Sequence, residues 1–185
     1  MTTIIGISGS LRRGSFNTML LNAAAQLVPD GARVEIASYR DFPLYDADVE
    51  TEQGIPAPVA ALKDRIAAAG GLLLVTPEYN NAMPGVLKNA IDWLTRPGKD
   101  IPRVFSGRPV AVMGATTGRG GTILAQAAWL PVFRTLRTRP WFGPPLRVSE
   151  AAKVFDESGA LTDEKLREQV QAFMAGFVEF IRAAQ

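Results

Sequence analysis

The 185-residue chain contains no cysteine and no histidine. Without cysteine it can form no disulfide, no thiolate nucleophile and no Fe–S cluster. Without histidine as well, the ordinary zinc ligand sets are out of reach, so no metal site is expected. The commonest general base is missing too. An enzyme with these gaps does demanding chemistry most economically through a carried organic cofactor. No apolar run is long enough to cross a bilayer, so no membrane partner is expected. Met1 to Ser8 alternates like a strand and lacks the basic head and apolar stretch of a secretory leader; a cytoplasmic location is the expectation. No basic run is interleaved with aromatic residues, and nucleic acid is not an expected partner. The chain shows no internal repeat, low-complexity tract or linker. Its length suits one domain over residues 1–185, with enough residues to bury a sizeable core.

What is present is a mildly basic chain, formal net charge +2, with its charge unevenly placed. Asp30 to Glu52 holds seven acids and two bases, and Arg96 to Arg147 holds nine bases and one acid. Such asymmetry fits attraction of an anionic ligand to one region, and equally a solvated arginine surface.

Apolar periodicity predicts alternating strands and helices. Thr2–Ser8 reads as a buried strand. Gly9–Phe16 is a polar loop, and Asn17 is placed to cap a helix carrying Leu20, Ala23, Ala24, Leu27 and Val28 at helical spacing. Arg33–Ala37 is a second strand. Tyr39 to Pro58 has acids, prolines and no period, and reads as a long loop. Val59, Leu62, Ile66 and Ala69 form a helical stripe stopped by Gly70-Gly71. Leu72–Thr76 is a strand apolar on both faces, as the interior of a parallel sheet requires. Pro84 introduces a helix over Gly85–Leu94, and Pro109–Ala115 is a fourth strand. A helix from about Thr122 is expected to break at Pro131. Thr135–Arg139 is the expected fifth strand. Thr162 is expected to cap a final helix with Leu166, Val170, Phe173, Phe177 and Phe180 on one face. This alternation predicts an α/β fold with a parallel sheet covered on both faces.

Ligands of open parallel sheets bind beyond the carboxyl ends of the strands. Three loops of unusual composition leave such ends. Gly9 to Asn17 combines glycine, the hydroxyls of Ser10 and Ser15, Arg12 and a following helix start, which suits a phosphate; it also suits an ordinary helix cap. It is neither GxxxxGK[ST] nor GxGxxG, so a triphosphate loop or a pyrophosphate cradle is not expected. Pro77 to Pro84 (PEYNNAMP) ends on another helix start, able to stabilise negative charge, and offers the Tyr79 ring. Thr116 to Gly121 (TTGRGG) brings backbone N–H groups, two hydroxyls and Arg119.

The segments GSLRRGSFN at 9–17 and TPEYNNAMPGVLKNAIDWL at 76–94 together resemble the NADPH-dependent FMN reductase family, in its chromate, quinone and azo-dye reductase branch. LYDAD at 44–48 adds to the likeness, which spans nearly the whole chain and is weakest over 137–160. The resemblance implies a flavodoxin-like three-layer sandwich with a five-stranded parallel sheet in the order 2-1-3-4-5. It implies bound FMN, its phosphate held by Ser10, Arg12, Ser15, Phe16 and Asn17. The edge of its ring would lie against Pro77, Glu78, Tyr79 and Asn80, and its far side along Thr116, Thr117, Gly118, Arg119 and Gly120. No catalytic side chain is implied, because the flavin carries the chemistry. The expected activity is transfer of electrons from NADPH or NADH to a small-molecule acceptor, such as a quinone, chromate or an azo dye, in a ping-pong cycle. A flavin reductase that releases reduced FMN, and a flavodoxin-type electron carrier, are the alternatives. Sequence places no 2′-phosphate clamp, so NADH and NADPH stay undecided. A homodimer or homotetramer is implied. The surplus of apolar residues in Gly85–Leu94 suggests that Trp93 lies at or near the subunit interface.

Overall fold

Residues 1–183 are described in the computed structural model. Along the chain run β1 (Thr2–Ser8), α1 (Phe16–Gln26), β2 (Ala32–Ala37), α2 (Ala47–Gln53), α3 (Ala57–Ala68), β3 (Gly71–Val75) and α4 (Gly85–Leu94). There follow α5 (Ile101–Val104), β4 (Pro109–Ala115), α6 (Ile123–Thr135), β5 (Arg139–Pro140), β6 (Arg147–Val148) and α7 (Glu164–Arg182). The sheet is parallel, in the order β2-β1-β3-β4-β5, as expected of a flavodoxin-like fold. β1, β3 and β4 are buried almost throughout because helices cover both faces. On one face Leu20, Leu21, Met174 and Phe177 of α1 and α7 pack with Ile4, Leu73 and Met113. On the other, Leu62, Ile66, Leu87, Ile91 and Trp129 of α3, α4 and α6 pack with Ile5, Ile7, Leu72 and Leu74.

The fold departs from the sequence reading at five points. Tyr39 to Pro58 is not all loop, because α2 forms inside it. The Asp46 carboxylate caps α2 by accepting from the Asp48 N–H at 2.9 Å, and Asp48 and Glu50 sit in its first turn. No residue of α2 is buried, so it has no apolar stripe to reveal it. α6 runs through Pro131 instead of breaking there, held on either side by buried Trp129 and Phe133. The fifth strand lies at Arg139–Pro140, while Thr135 belongs to α6. β5 pairs with the start of β4 and β6 with its end, so that edge of the sheet is one interrupted strand. Asp163 caps α7 by accepting from the Leu166 N–H at 2.7 Å, whereas the Thr162 hydroxyl donates to the Val154 carbonyl.

The fifth departure concerns Trp93. It is fully buried within its own chain, and its Nε1–H donates to the Pro43 carbonyl at 2.8 Å. Its ring meets Tyr45 edge-on at 5.0 Å. The stretch 39–46 covers the second apolar face of α4, leaving Val86 as that helix's exposed large apolar residue. Trp93 therefore presents no exposed surface of its own to a partner.

Candidate active site

The order 2-1-3-4-5 reverses the chain's direction of travel between β1 and β3, and the crevice at that reversal is where such folds bind ligands. The loops after β1, β3 and β4 meet there. Two glycines let them approach. A Cβ on Gly9 would stand 2.6 Å from Pro77 Cδ, and one on Gly114 would stand 2.2 Å from the Thr76 carbonyl oxygen. Any other residue at either position would push the loops apart. The Gly9 N–H donates to the Val75 carbonyl at 2.7 Å and the Thr76 N–H to the Met113 carbonyl at 2.8 Å, which ties the three strand ends together.

Between the loops lies a cavity of about 180 Å³. It is lined by Ser10, Arg12, Ser15, Phe16 and Asn17 from the first loop, Pro77, Glu78 and Tyr79 from the second, and Ala115, Thr116 and Thr117 from the third. Asn80, Gly118, Arg119 and Gly120 do not line it. Asn80 and Asn81 take left-handed backbone conformations, φ 51° and 62°, in a tight turn closed by paired bonds between Tyr79 and Ala82. Two asparagines in succession are suited to that turn type. Gly118, Arg119 and Gly120 are exposed at the loop tip.

The first turn of α1 is open to the cavity side of the first loop. Ser15 occupies the N-cap position and is buried, yet its side chain makes no capping bond. The N–H groups of the first turn therefore keep their capacity for an anion, beside the buried Ser10 hydroxyl and the exposed Arg12 guanidinium. This arrangement fits a phosphate monoester.

Asn17 is not the cap that its sequence position suggests. It lies inside the first turn, buried, with its carboxamide paired to the backbone of Ala115: Nδ2–H donates to the carbonyl at 2.8 Å and Oδ1 accepts from the N–H at 2.9 Å. This side chain thus fastens the first loop to the end of β4. One Nδ2 hydrogen remains for a ligand. Glu78 also has a role that sequence did not show. Its carboxylate accepts from the Leu124 and Ala125 N–H groups at 2.9 and 3.0 Å. It caps α6, whose own N-cap residue Thr122 makes no side-chain capping bond.

Residues 146–151, for which sequence offered no role, brace the third loop. The Thr116 N–H donates to Val148 and the Ala151 N–H to Thr116, both at 2.9 Å. The Ser149 hydroxyl donates to the Arg119 carbonyl at 3.0 Å. Ala115 was missed because an alanine carries no chemical signal; only its backbone matters here. Much of the basic excess between Arg96 and Arg147 is engaged elsewhere. Arg96 pairs with Glu50 and Arg103 with Asp64, while the half-buried Arg108 donates to the carbonyls of Ala67, Ala69, Arg103 and Val104. The Arg96 guanidinium and the Tyr45 hydroxyl hold the Glu50 carboxyl below its usual range.

The fold and the cleft define a flavodoxin-like α/β protein with an anion-fitting crevice at its strand ends. The profile described as NADPH-dependent FMN reductase matches residues 2–152, and the chain belongs to that family. It is 42% identical over 179 residues to the NAD(P)H-dependent FMN reductase PA1204 of Pseudomonas aeruginosa, covering 97% of this chain and 95% of that one. It is 37% identical over 176 residues to the 2-hydroxy-1,4-benzoquinone reductase of a Burkholderia species, covering 95% and 94%. Among solved structures, the flavoenzyme NAD(P)H:(acceptor) oxidoreductase FerB of Paracoccus denitrificans superposes with a TM-score of 0.89 at 33% identity, over 100% of this chain and 99% of FerB. The chain is accordingly an oxidoreductase of the NAD(P)H-dependent FMN reductase type. No helix among the described residues is long and apolar enough to cross a membrane.

Proposed function

We propose that this enzyme holds FMN in the three-loop cleft and reduces a quinone-type acceptor at the expense of NAD(P)H. The observation that carries the reading is the uncapped first turn of α1, flanked by Ser10, Ser15 and Arg12. When bound, FMN supplies a two-electron relay between a hydride donor and an acceptor. The protein's part is to bind and orient. The first-turn N–H groups, Ser10, Ser15, Arg12 and the free Asn17 hydrogen hold the phosphate. Pro77 to Tyr79 and Thr116 to Thr117 would flank the ring, and Tyr79, 48% exposed, borders the opening. The helix start of α4 behind the second loop favours negative charge there. No side chain at this cleft is placed as a nucleophile. Donor and acceptor use the same opening in turn, which makes the cycle ping-pong. Reduction of 2-hydroxy-1,4-benzoquinone by the Burkholderia relative supports a quinone as acceptor.

Assembly as a homodimer is part of this reading. Ile123, Leu124 and Leu130 of α6 and the nearby Phe142 are 44–77% exposed, a large apolar surface for a free monomer.

Replacing Ser15 with Asp tests the phosphate cradle. Aspartate is a competent N-cap, so the fold is retained, while its carboxylate repels a phosphate from the helix start. The expected result is unchanged thermal unfolding, loss of FMN retention and loss of NAD(P)H-dependent benzoquinone reduction. Full FMN retention by Ser15→Asp would move the cofactor away from this loop. Initial rates at several donor and quinone concentrations should give parallel double-reciprocal lines; intersecting lines would contradict alternate use of one opening.

A further inference from the structure

The first loop has a second cavity on its other side. About 400 Å³ in volume, it opens between the ends of β1 and β2 and shares Ser10, Arg12 and Ser15 with the cleft already described. Its wall adds two further guanidinium groups, Arg13 and Arg40, and no carboxylate. Among the described residues none of these three arginines takes part in an ion pair. Arg12 donates to the Gly14 carbonyl at 3.0 Å and Arg40 to the Leu11 carbonyl at 2.5 Å. Neutral carbonyls leave the charge uncompensated. Like charges gathered around one cavity disfavour one another unless an anion shares it.

The phosphate in the cleft accounts for Arg12. It does not account for Arg13 and Arg40. The rest of the wall suits a nucleoside. Met19 and Ile36, the latter 44% exposed, offer apolar surface to a purine. Ser38 and Ser158 offer hydroxyls, and the Asp156 carboxylate fixes Ser158 by accepting from both its N–H and its hydroxyl. Tyr39, 4% exposed, also borders the cavity, with its hydroxyl buried out of reach of solvent and without a hydrogen-bond partner. Burial pushes that phenol well above its ordinary pKa, so it stays a neutral donor.

We propose that this cavity receives the 2′-phosphorylated adenosine end of NADPH, and that Arg13 and Arg40 set a preference for NADPH over NADH. The assignment rests on FMN occupying the cleft. A donor whose nicotinamide reaches the cleft over the first loop leaves its adenosine end beyond that loop, where the cavity lies. A 2′-phosphate adds charge of about −2 at neutral pH and pairs well with guanidinium forks. The adenylate half of FAD presents related chemistry, and the test separates the two.

FMN-loaded protein is titrated calorimetrically with adenosine 2′,5′-bisphosphate and, separately, with 5′-AMP. The bisphosphate should bind at least about tenfold more tightly, the scale of one charge-assisted contact. The double variant Arg13→Ala/Arg40→Ala should lose most of that difference, with FMN affinity changed less than about twofold. Its ratio of kcat/KM for NADPH to that for NADH should fall toward one. Arg13→Ala alone should show part of each effect, and it leaves the Arg40 bond to Leu11 in place. Equal affinities for the two nucleotides in the unaltered protein would overturn the proposal. So would loss of FMN from the double variant, which would make these arginines part of the flavin cradle. Retention of FAD in preference to FMN, with the bisphosphate excluded, would assign the cavity to the cofactor. Failure of the underlying reading looks different, since the unaltered protein would then bind no FMN.

Discussion

Asn17 shows how one side chain can hold a site together. Its sequence neighbourhood, a serine-rich loop before an apolar stripe, suggests a helix cap. In the fold both polar ends of its carboxamide pair with the backbone of Ala115, 98 residues away. Sequence cannot reveal such a contact, because the partner groups belong to the main chain of an alanine. Glu78 is similar: its two acceptor bonds go to backbone N–H groups of α6. Asn17→Asp keeps the acceptor for the Ala115 N–H but sets a carboxylate against the Ala115 carbonyl, and Asn17→Ala removes both bonds. Each should destabilise the protein by about 1–3 kcal/mol, the cost of leaving buried backbone groups unpaired. Chemical denaturation of the flavin-free protein isolates that effect, and FMN titration then reads the additional loss of a phosphate contact. If Asn17→Ala unfolds like the unaltered protein while losing FMN, the residue is a ligand and not a clamp.

At the scale of elements, β1, α4 and β4 have the bounds that periodicity predicted, because each carries a strong apolar pattern and Gly or Pro punctuation. Elements that lack such a pattern escaped. α2 has no fully buried residue and is held by its acidic cap and by the bonds of Glu50 to Arg96 and Tyr45, and β5 and β6 are two residues each, fixed by pairing with β4. The three site loops were legible as loops of unusual composition, and the family resemblance marked ten residues that the structure gathers at one cavity. Their division between ligand contacts and loop-to-loop bracing was not legible, since it depends on backbone partners. Pro131 predicts a break, yet α6 passes through it, because packing of Trp129 and Phe133 outweighs one missing N–H. Pro131 itself is exposed. Pro131→Ala should therefore stabilise the protein by about 1–3 kcal/mol. Equilibrium unfolding in urea is the check, and an unchanged or lower midpoint would mean that the proline's surface contacts matter more than the backbone bond.

For the whole molecule, the sheet order sets where chemistry can happen, and the two cavities flank the first loop at that place. The exposed apolar residues Ile123, Leu124 and Leu130 of α6, with Phe142, offer the surface for a partner, where Trp93 of α4 is buried. Light scattering at micromolar concentration should give a dimer, and Leu130→Glu should shift it toward monomer; a monomeric unaltered protein would leave that face unexplained. The central claim is that this chain binds FMN in the three-loop cleft and relays electrons from NAD(P)H to a quinone. Its most direct test is an anaerobic titration of the FMN-reconstituted protein followed by visible absorbance, with the flavin then released and identified by chromatography. The account predicts FMN in about equal amount to protein, bleached by NADPH and restored by a benzoquinone. A protein that retains no flavin, or whose bound flavin keeps its colour in excess NADPH and NADH, would contradict it.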